Sequence, residues 1–123
     1  MKVIFTIFAG RKRYMEILLR YVDKLLANKI ITEVHIWNFT RNKQDNEYII
    51  KLCKDVKYKY FKPPIEIIGN SKWIPYYKYY SQTTDFNDED IIIKCDDDIV
   101  YIDVDNMKKF IDEIKDIKNG KHI

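Results

Sequence analysis

Glycine and proline occur only three times each in 123 residues, and cysteine only twice. Each scarcity removes a class of protein. Three scattered glycines cannot supply the multiple glycines of a dinucleotide fingerprint or of a P-loop. Cys53 and Cys95 are too few for a secreted disulfide scaffold. The plain reading is a pair of reduced, partly buried thiols, although pairing between them stays open. Cys95, with no partner histidine nearby, reads as packing rather than as a nucleophile. No apolar run approaches the ~20 residues that a membrane span needs. The opening Met1 to Ala9 is apolar, but Arg11-Lys12-Arg13 follows at once and no cleavage-like small-residue pattern is present. Without a secretion signal, the sequon Asn38-Phe39-Thr40 has no route to glycosylation. A soluble, cytoplasmic chain is expected.

Charge of one sign is also lacking. Lys and Arg total 22 against 19 Asp and Glu, a formal net charge of +3. The basic residues are spread along the chain, so the dense basic stripe of a dedicated nucleic-acid binder is missing. The mild positive excess still suits a ligand that carries phosphates. What is present is a globular balance, 46% hydrophobic and 33% charged. Residues 1–123 are expected to form one domain, long enough to bury a core without disulfides or structural metals.

Strand-like and helix-like segments alternate, which predicts an α/β fold with an open, mostly parallel sheet flanked by helices. Lys2 to Ala9 is apolar on both faces, as a central strand is. From Arg13 to Ala27, Tyr14, Ile17, Leu18, Tyr21, Val22 and Leu25 recur at helical spacing, and Asn28 offers a stop. A second strand is expected over Ile31 to Phe39, a helix over Asp45 to Cys53 and a third strand around Val56 to Phe61. Pro63-Pro64 and Gly69-Asn70-Ser71 bracket a loop that can hold a short strand, Ile65 to Ile68. Trp73 to Gln82 reads as a helix with Pro75 in its first turn. Asp85 to Asp90 reads as a solvated acidic loop. Ile91 to Cys95 is expected to be a buried strand that runs through Asp96-Asp97-Asp98 and continues over Ile99 to Ile102. Met107, Phe110, Ile111, Ile114 and Ile117 then trace one helix face, capped by Asp103 or Asp105.

Three acidic clusters compete for attention. Asp88-Glu89-Asp90 lies in the polar loop, and Asp103-Val104-Asp105 opens a helix, where carboxylates complement the dipole. Only Asp96-Asp97-Asp98 follows an apolar strand, at the sheet edge where open α/β folds bind ligands. Three adjacent carboxylates repel one another, and a divalent cation would remove the conflict. In an extended strand Asp96 and Asp98 share one face and Asp97 takes the other. The plainer alternative is an exposed acidic turn. The turn after the first strand, Phe8-Ala9-Gly10-Arg11, leads into a helix whose N-terminal N–H groups and Arg11 can receive a phosphate. Asn38 can reach a base edge or serve as a turn residue. Lys72 can reach a phosphate or sit on the surface. Trp73, Tyr76 and Tyr77 can line a groove or the core. His35, between Val34 and Ile36, reads as structural, and His122 as terminal surface.

With strand-turn-helix first, a strand ending in Asn38 and then Ile-Ile-Ile-Lys-Cys-Asp96-Asp97-Asp98, the chain resembles the GT-A glycosyltransferase superfamily. The likeness is closest to the small GT-A domains of large DNA viruses of the chlorella-virus type. It covers only the nucleotide-binding half of the usual fold, and the acceptor-binding part and its base have no counterpart here. The resemblance implies Mn²⁺ or Mg²⁺ on Asp98, with Asp96 assisting the metal and Asp96 and Asp97 near the ribose. Thr6, Phe8, Ala9, Gly10 and Arg11 would line the base and phosphate pocket, joined by Asn38 and Lys72. The implied reaction moves a sugar from a nucleotide diphosphate donor, UDP-linked by expectation, to an acceptor hydroxyl on a glycan. Two other readings stand beside it: a non-catalytic GT-A-like nucleotide-binding module, and a receiver-type signalling domain with an acidic Mg²⁺ pocket.

Overall fold

The structure, a computed structural model, describes residues 1–63 and 73–118. The expected strand Ile65 to Ile68, Lys72 and His122 lie outside the described residues. In chain order the elements are β1 (Val3–Ala9), α1 (Lys12–Ala27), β2 (Glu33–Asn38), α2 (Lys43–Leu52), β3 (Tyr58–Phe61), α3 (Ile74–Gln82), β4 (Ile91–Asp96) and α4 (Val104–Lys118). The fold is α/β, with a four-stranded sheet in the order β3-β2-β1-β4. Every pairing in it is parallel.

All seven residues of β1 are buried, because β1 has a strand on each side and helices over both faces. Its side chains divide by parity. Val3, Phe5, Ile7 and Ala9 enter an aliphatic core with Met15, Leu18, Val22 and Leu25 of α1, Ile49 of α2 and Ile111 of α4. Phe8 points the other way, into an aromatic cluster with Trp37 of β2 and Tyr76 of α3. Thus α1, α2 and α4 cover one face, and α3 covers the opposite one. α1 ends where Lys29 takes φ 58°. There Lys29 N donates to Leu26 O and Ile30 N to Leu25 O, a paired closure of the last turn.

Three expectations need correction, and a fourth, the solvated loop, needs one addition. β4 stops at Asp96, and Ile99 to Ile102 is irregular chain rather than a continuing strand. β4 is also an edge strand among the described residues, so Ile92 is 39% exposed instead of buried. The loop before it is not merely solvated: Asp90 accepts hydrogen bonds from the backbone N of Lys2 and of Asn87, which ties it to the entry of β1. On α4, Phe110 and Ile117 are half-exposed, since only the stripe through Ile111 meets the sheet. Asp103, not Asp105, caps this helix, accepting from Asn106 N.

Candidate functional site at the carboxyl edge of the sheet

Parallel pairing brings the carboxyl ends of all four strands to one edge, with Phe8 level with Asp96 and Ala9 level with Asn38. From β1 the chain winds outward through β2 to β3, then crosses to the far side of β1 to form β4. The reversal opens a crevice between the ends of β1 and β4, the place where doubly wound sheets take ligands. A receiver-type domain orders its strands 2-1-3, with the third beside the first. Here β3 lies beyond β2, so that alternative does not fit.

A cleft of about 540 Å³ lies at this crevice. One wall is aromatic: Phe8 stacks on Trp73 with ring centroids 5.2 Å apart, and Phe39 meets Phe8 at 4.8 Å. Asp96, Asp97 and Asp98 line the cleft as well, with Asp96 level with Phe8 on the neighbouring strand, and so do Gly10 and Arg11. Arg41, Asn42 and Asp45 close the side next to β2.

The three aspartates are not equivalent. Asp97 turns back onto the β1–α1 turn, where its Oδ2 accepts from Arg11 N at 2.9 Å and Arg11 Nε at 3.2 Å. Its Oδ1 accepts from Arg11 Nη2 at 3.1 Å. This bidentate pair raises the guanidinium pKa further, chiefly through its hydrogen bond to Asp97. A Cβ on Gly10 would lie 2.9 Å from Asp97 Oδ2, so the missing side chain is what admits the carboxylate. Lys12 N, one residue on, donates to Asp45 Oδ1 at 3.0 Å. Two of the N–H groups expected to await a phosphate are therefore already bonded to protein carboxylates. Nor do the three side chains alternate across an extended strand, because 97–98 is a turn.

Asp96 and Asp98 are left as exposed carboxylates on the rim. Asp96 has one loose ion pair, Lys94 Nζ at 3.6 Å, while that lysine also sits 4.6 Å over the Phe8 ring. With Asp97 committed to Arg11, no three His, Cys, Asp or Glu side chains form a ready cation cage among the described residues. The two that face the cleft are hard oxygen donors, suited to Mg²⁺ or Mn²⁺ when a ligand's phosphates complete the shell. Burial and the adjacent aspartates push the Cys95 thiol up to about 12, so it stays protonated.

The sequence-predicted residues separate accordingly. Phe8, Gly10, Arg11, Asp96, Asp97 and Asp98 line the cleft together. Thr6 does not: it is fully buried, donates to Ile93 O at 2.8 Å and is bonded to Tyr76 Oη at 2.7 Å. Ala9 is buried in the aliphatic core. Asn38 is spent inside the protein, donating to Asn46 Oδ1 and Tyr60 Oη and accepting from Thr40 N and Oγ1. Of the α3 aromatics, Trp73 lines the cleft, Tyr76 is core and Tyr77 is exposed. Sequence reasoning passed over Phe39, Arg41, Asn42 and Asp45. The Asn42-x-x-Asp45 spacing was the available signal, because Asn42 caps α2 by accepting from Asp45 N.

His35 is buried beside this aromatic cluster. Trp37 Nε1 donates to Tyr80 Oη, which is also hydrogen-bonded to His35 Nδ1 at 2.6 Å. Its other ring nitrogen, Nε2, faces Glu33 Oε1 at 3.6 Å. Burial lowers the imidazole to about 4 against the smaller opposing pull of Glu33.

No family model, no curated protein and no solved structure matches this chain. No described helix is long and apolar enough to cross a membrane.

Proposed function

We propose that this chain is the nucleotide-sugar-binding part of a metal-dependent glycosyltransferase of GT-A type, taking a nucleoside diphosphate sugar in the cleft between β1 and β4. One observation carries the reading: Asp96 and Asp98 face the same cleft as an aromatic wall, at the topological switch point of a parallel sheet. The wall of Phe8, Phe39 and Trp73 offers flat apolar surface to a base or sugar ring. Asp96 and Asp98 would hold Mg²⁺ or Mn²⁺. A cation held there would supply Lewis acidity to a departing diphosphate. Arg11 and Asp97 keep the β1–α1 turn in one shape beneath it, and Gly10 makes room for that pairing. The reaction is transfer of the sugar, UDP-linked by resemblance, to a hydroxyl of a glycan acceptor.

Calorimetry of UDP and UMP, each with Mn²⁺ and with chelator, tests the reading. UDP is expected to bind more tightly than UMP, and the difference to shrink without metal. Equal UDP affinity in Mn²⁺ and in chelator would remove the metal from the site. Release of free sugar from the donor, or its transfer, then separates an enzyme from a module that only binds.

A further inference from the structure

The geometry points to Arg41 as the residue that recognises the diphosphate end of the ligand, an assignment that rests on the nucleotide-binding reading above. Two guanidinium groups line the cleft, Arg11 and Arg41. Arg11 has Nε and Nη2 bonded to Asp97, and its backbone N as well. The next backbone donor, Lys12 N, is bonded to Asp45. The β1–α1 turn, where an open sheet would ordinarily receive a phosphate, is thus filled with the protein's own carboxylates.

Arg41 differs on every count. It lies in the loop between β2 and α2, is exposed, and has no hydrogen bond, ion pair or ring contact among the described residues. Its backbone is nonetheless held on both sides. Thr40 is fixed through its N and Oγ1 to Asn38 Oδ1, and Asn42 is locked into the α2 cap with Asp45. Asn38 itself is anchored to Asn46 and Tyr60. A held loop therefore presents one uncommitted guanidinium to a cleft that Asp98 and Asp96, the latter paired only loosely with Lys94, also line. A cleft lined by both carboxylates and a free guanidinium fits a ligand whose diphosphate meets a cation held by Asp96 and Asp98 and the planar fork of Arg41. A monophosphate, with one fewer anionic group, cannot span both.

The test compares wild type with Arg41→Gln and Arg41→Lys, using UDP and UMP in Mn²⁺ by calorimetry, with apo melting as the check on folding. Arg41→Gln is expected to weaken UDP by about tenfold or more, the loss of charge-assisted hydrogen bonds, and UMP by less than about threefold. Arg41→Lys should recover only part of the UDP affinity, because an ammonium keeps the charge and loses the fork. The apo melting temperature should not move, since no described partner is lost. Arg41→Gln that binds UDP within about twofold of wild type would overturn the assignment and leave the function standing. An equal loss for UDP and UMP would overturn it too, placing Arg41 away from the second phosphate. A wild type that binds neither nucleotide would overturn both this inference and the function beneath it.

Discussion

Thr6→Val separates a residue that touches ligand from one that holds the sheet together. Thr6 is fully buried on β1, with its hydroxyl donating to Ile93 O at 2.8 Å. Since that bond uses its only proton, Tyr76 Oη must donate to Thr6 at 2.7 Å. Valine keeps the shape and removes both bonds, leaving a buried tyrosine hydroxyl and a carbonyl unpaired. An unpaired buried group costs about 1–3 kcal/mol. The Ile93 carbonyl belongs to an edge strand and can turn partly to water, so the hydroxyl of Tyr76, itself only 4% exposed, carries most of the loss. A total of about 2 kcal/mol should lower Tm by about 8 °C in a chain of this size. Adding Tyr76→Phe should restore much of it, because the stranded hydroxyl is gone. Thermal melting of both variants, with and without UDP and Mn²⁺, is the assay. The ligand-induced rise in Tm should be the same in Thr6→Val as in wild type. An unchanged apo Tm, or strictly additive losses in the double variant, would refute the bonding scheme. A ligand shift abolished by Thr6→Val alone would return Thr6 to the binding pocket.

The remaining predictions concern the cleft and the buried histidine. Gly10→Ala should cost about 1–3 kcal/mol, because its Cβ would meet Asp97 Oδ2 at 2.9 Å and force the Arg11 pair apart. Combining it with Asp97→Ala should cost less than the two losses added, and denaturant melts of the cycle read the coupling. Asp98→Asn should leave apo Tm unchanged or slightly higher, since it relieves crowding among Asp96, Asp97 and Asp98, while removing the rise produced by UDP and Mn²⁺; a retained rise would place the metal elsewhere. His35, faced by Glu33, Lys59 and Lys2, takes up a proton at about 4 in the folded protein but near 6.5 when unfolded. Its contribution is therefore fully present above pH 6.5 and is lost as pH falls from 6.5 towards 4, by at most about 3 kcal/mol. Stability followed over that window should slope less in His35→Gln, and identical slopes would mean that other groups set the acid limit.

The order of elements was legible because its signals are local. Val3 to Ala9 is buried at every position and apolar at all but Thr6, as a strand covered on both faces requires. On α1, Leu18, Val22 and Leu25 of the expected face are buried, but Met15 and Leu19 take the core places expected for Tyr14 and Ile17. The expected strand over Ile99 to Ile102, and the tie made by Asp90, escaped the sequence for a different reason. The loop over Asp85 to Asp90 is solvent-facing as expected, but Asp90 is also tied to the backbone of Lys2, 88 positions away. Ile99 to Ile102 has the composition of a strand, yet the chain has already turned at 97–98 to bring Asp97 to Arg11. Neither partner can be named from the residues next to it in sequence.

The site shows the same division at the level of single side chains. Gly10-Arg11 and Asp96 to Asp98 were placed at a common edge because strand ends and parallel topology follow from local pattern. Their roles did not follow. A small residue, a helix N-terminus and an arginine receive any oxyanion, and the same donors serve a phosphate and a carboxylate equally well. Which of the two arrives is decided 86 positions later by Asp97, and on the neighbouring N–H by Asp45, 33 positions later. Once those carboxylates are seated, the turn after β1 is a structural joint, and the open cationic position moves one strand over, to Arg41. The acidic triplet is altered by the same contact: Asp97 becomes half of a pair, and Asp96 and Asp98 remain as exposed carboxylates at the cleft. A motif of three aspartates therefore divides its labour through a residue that no motif contains, and Arg11 is the residue that makes the division.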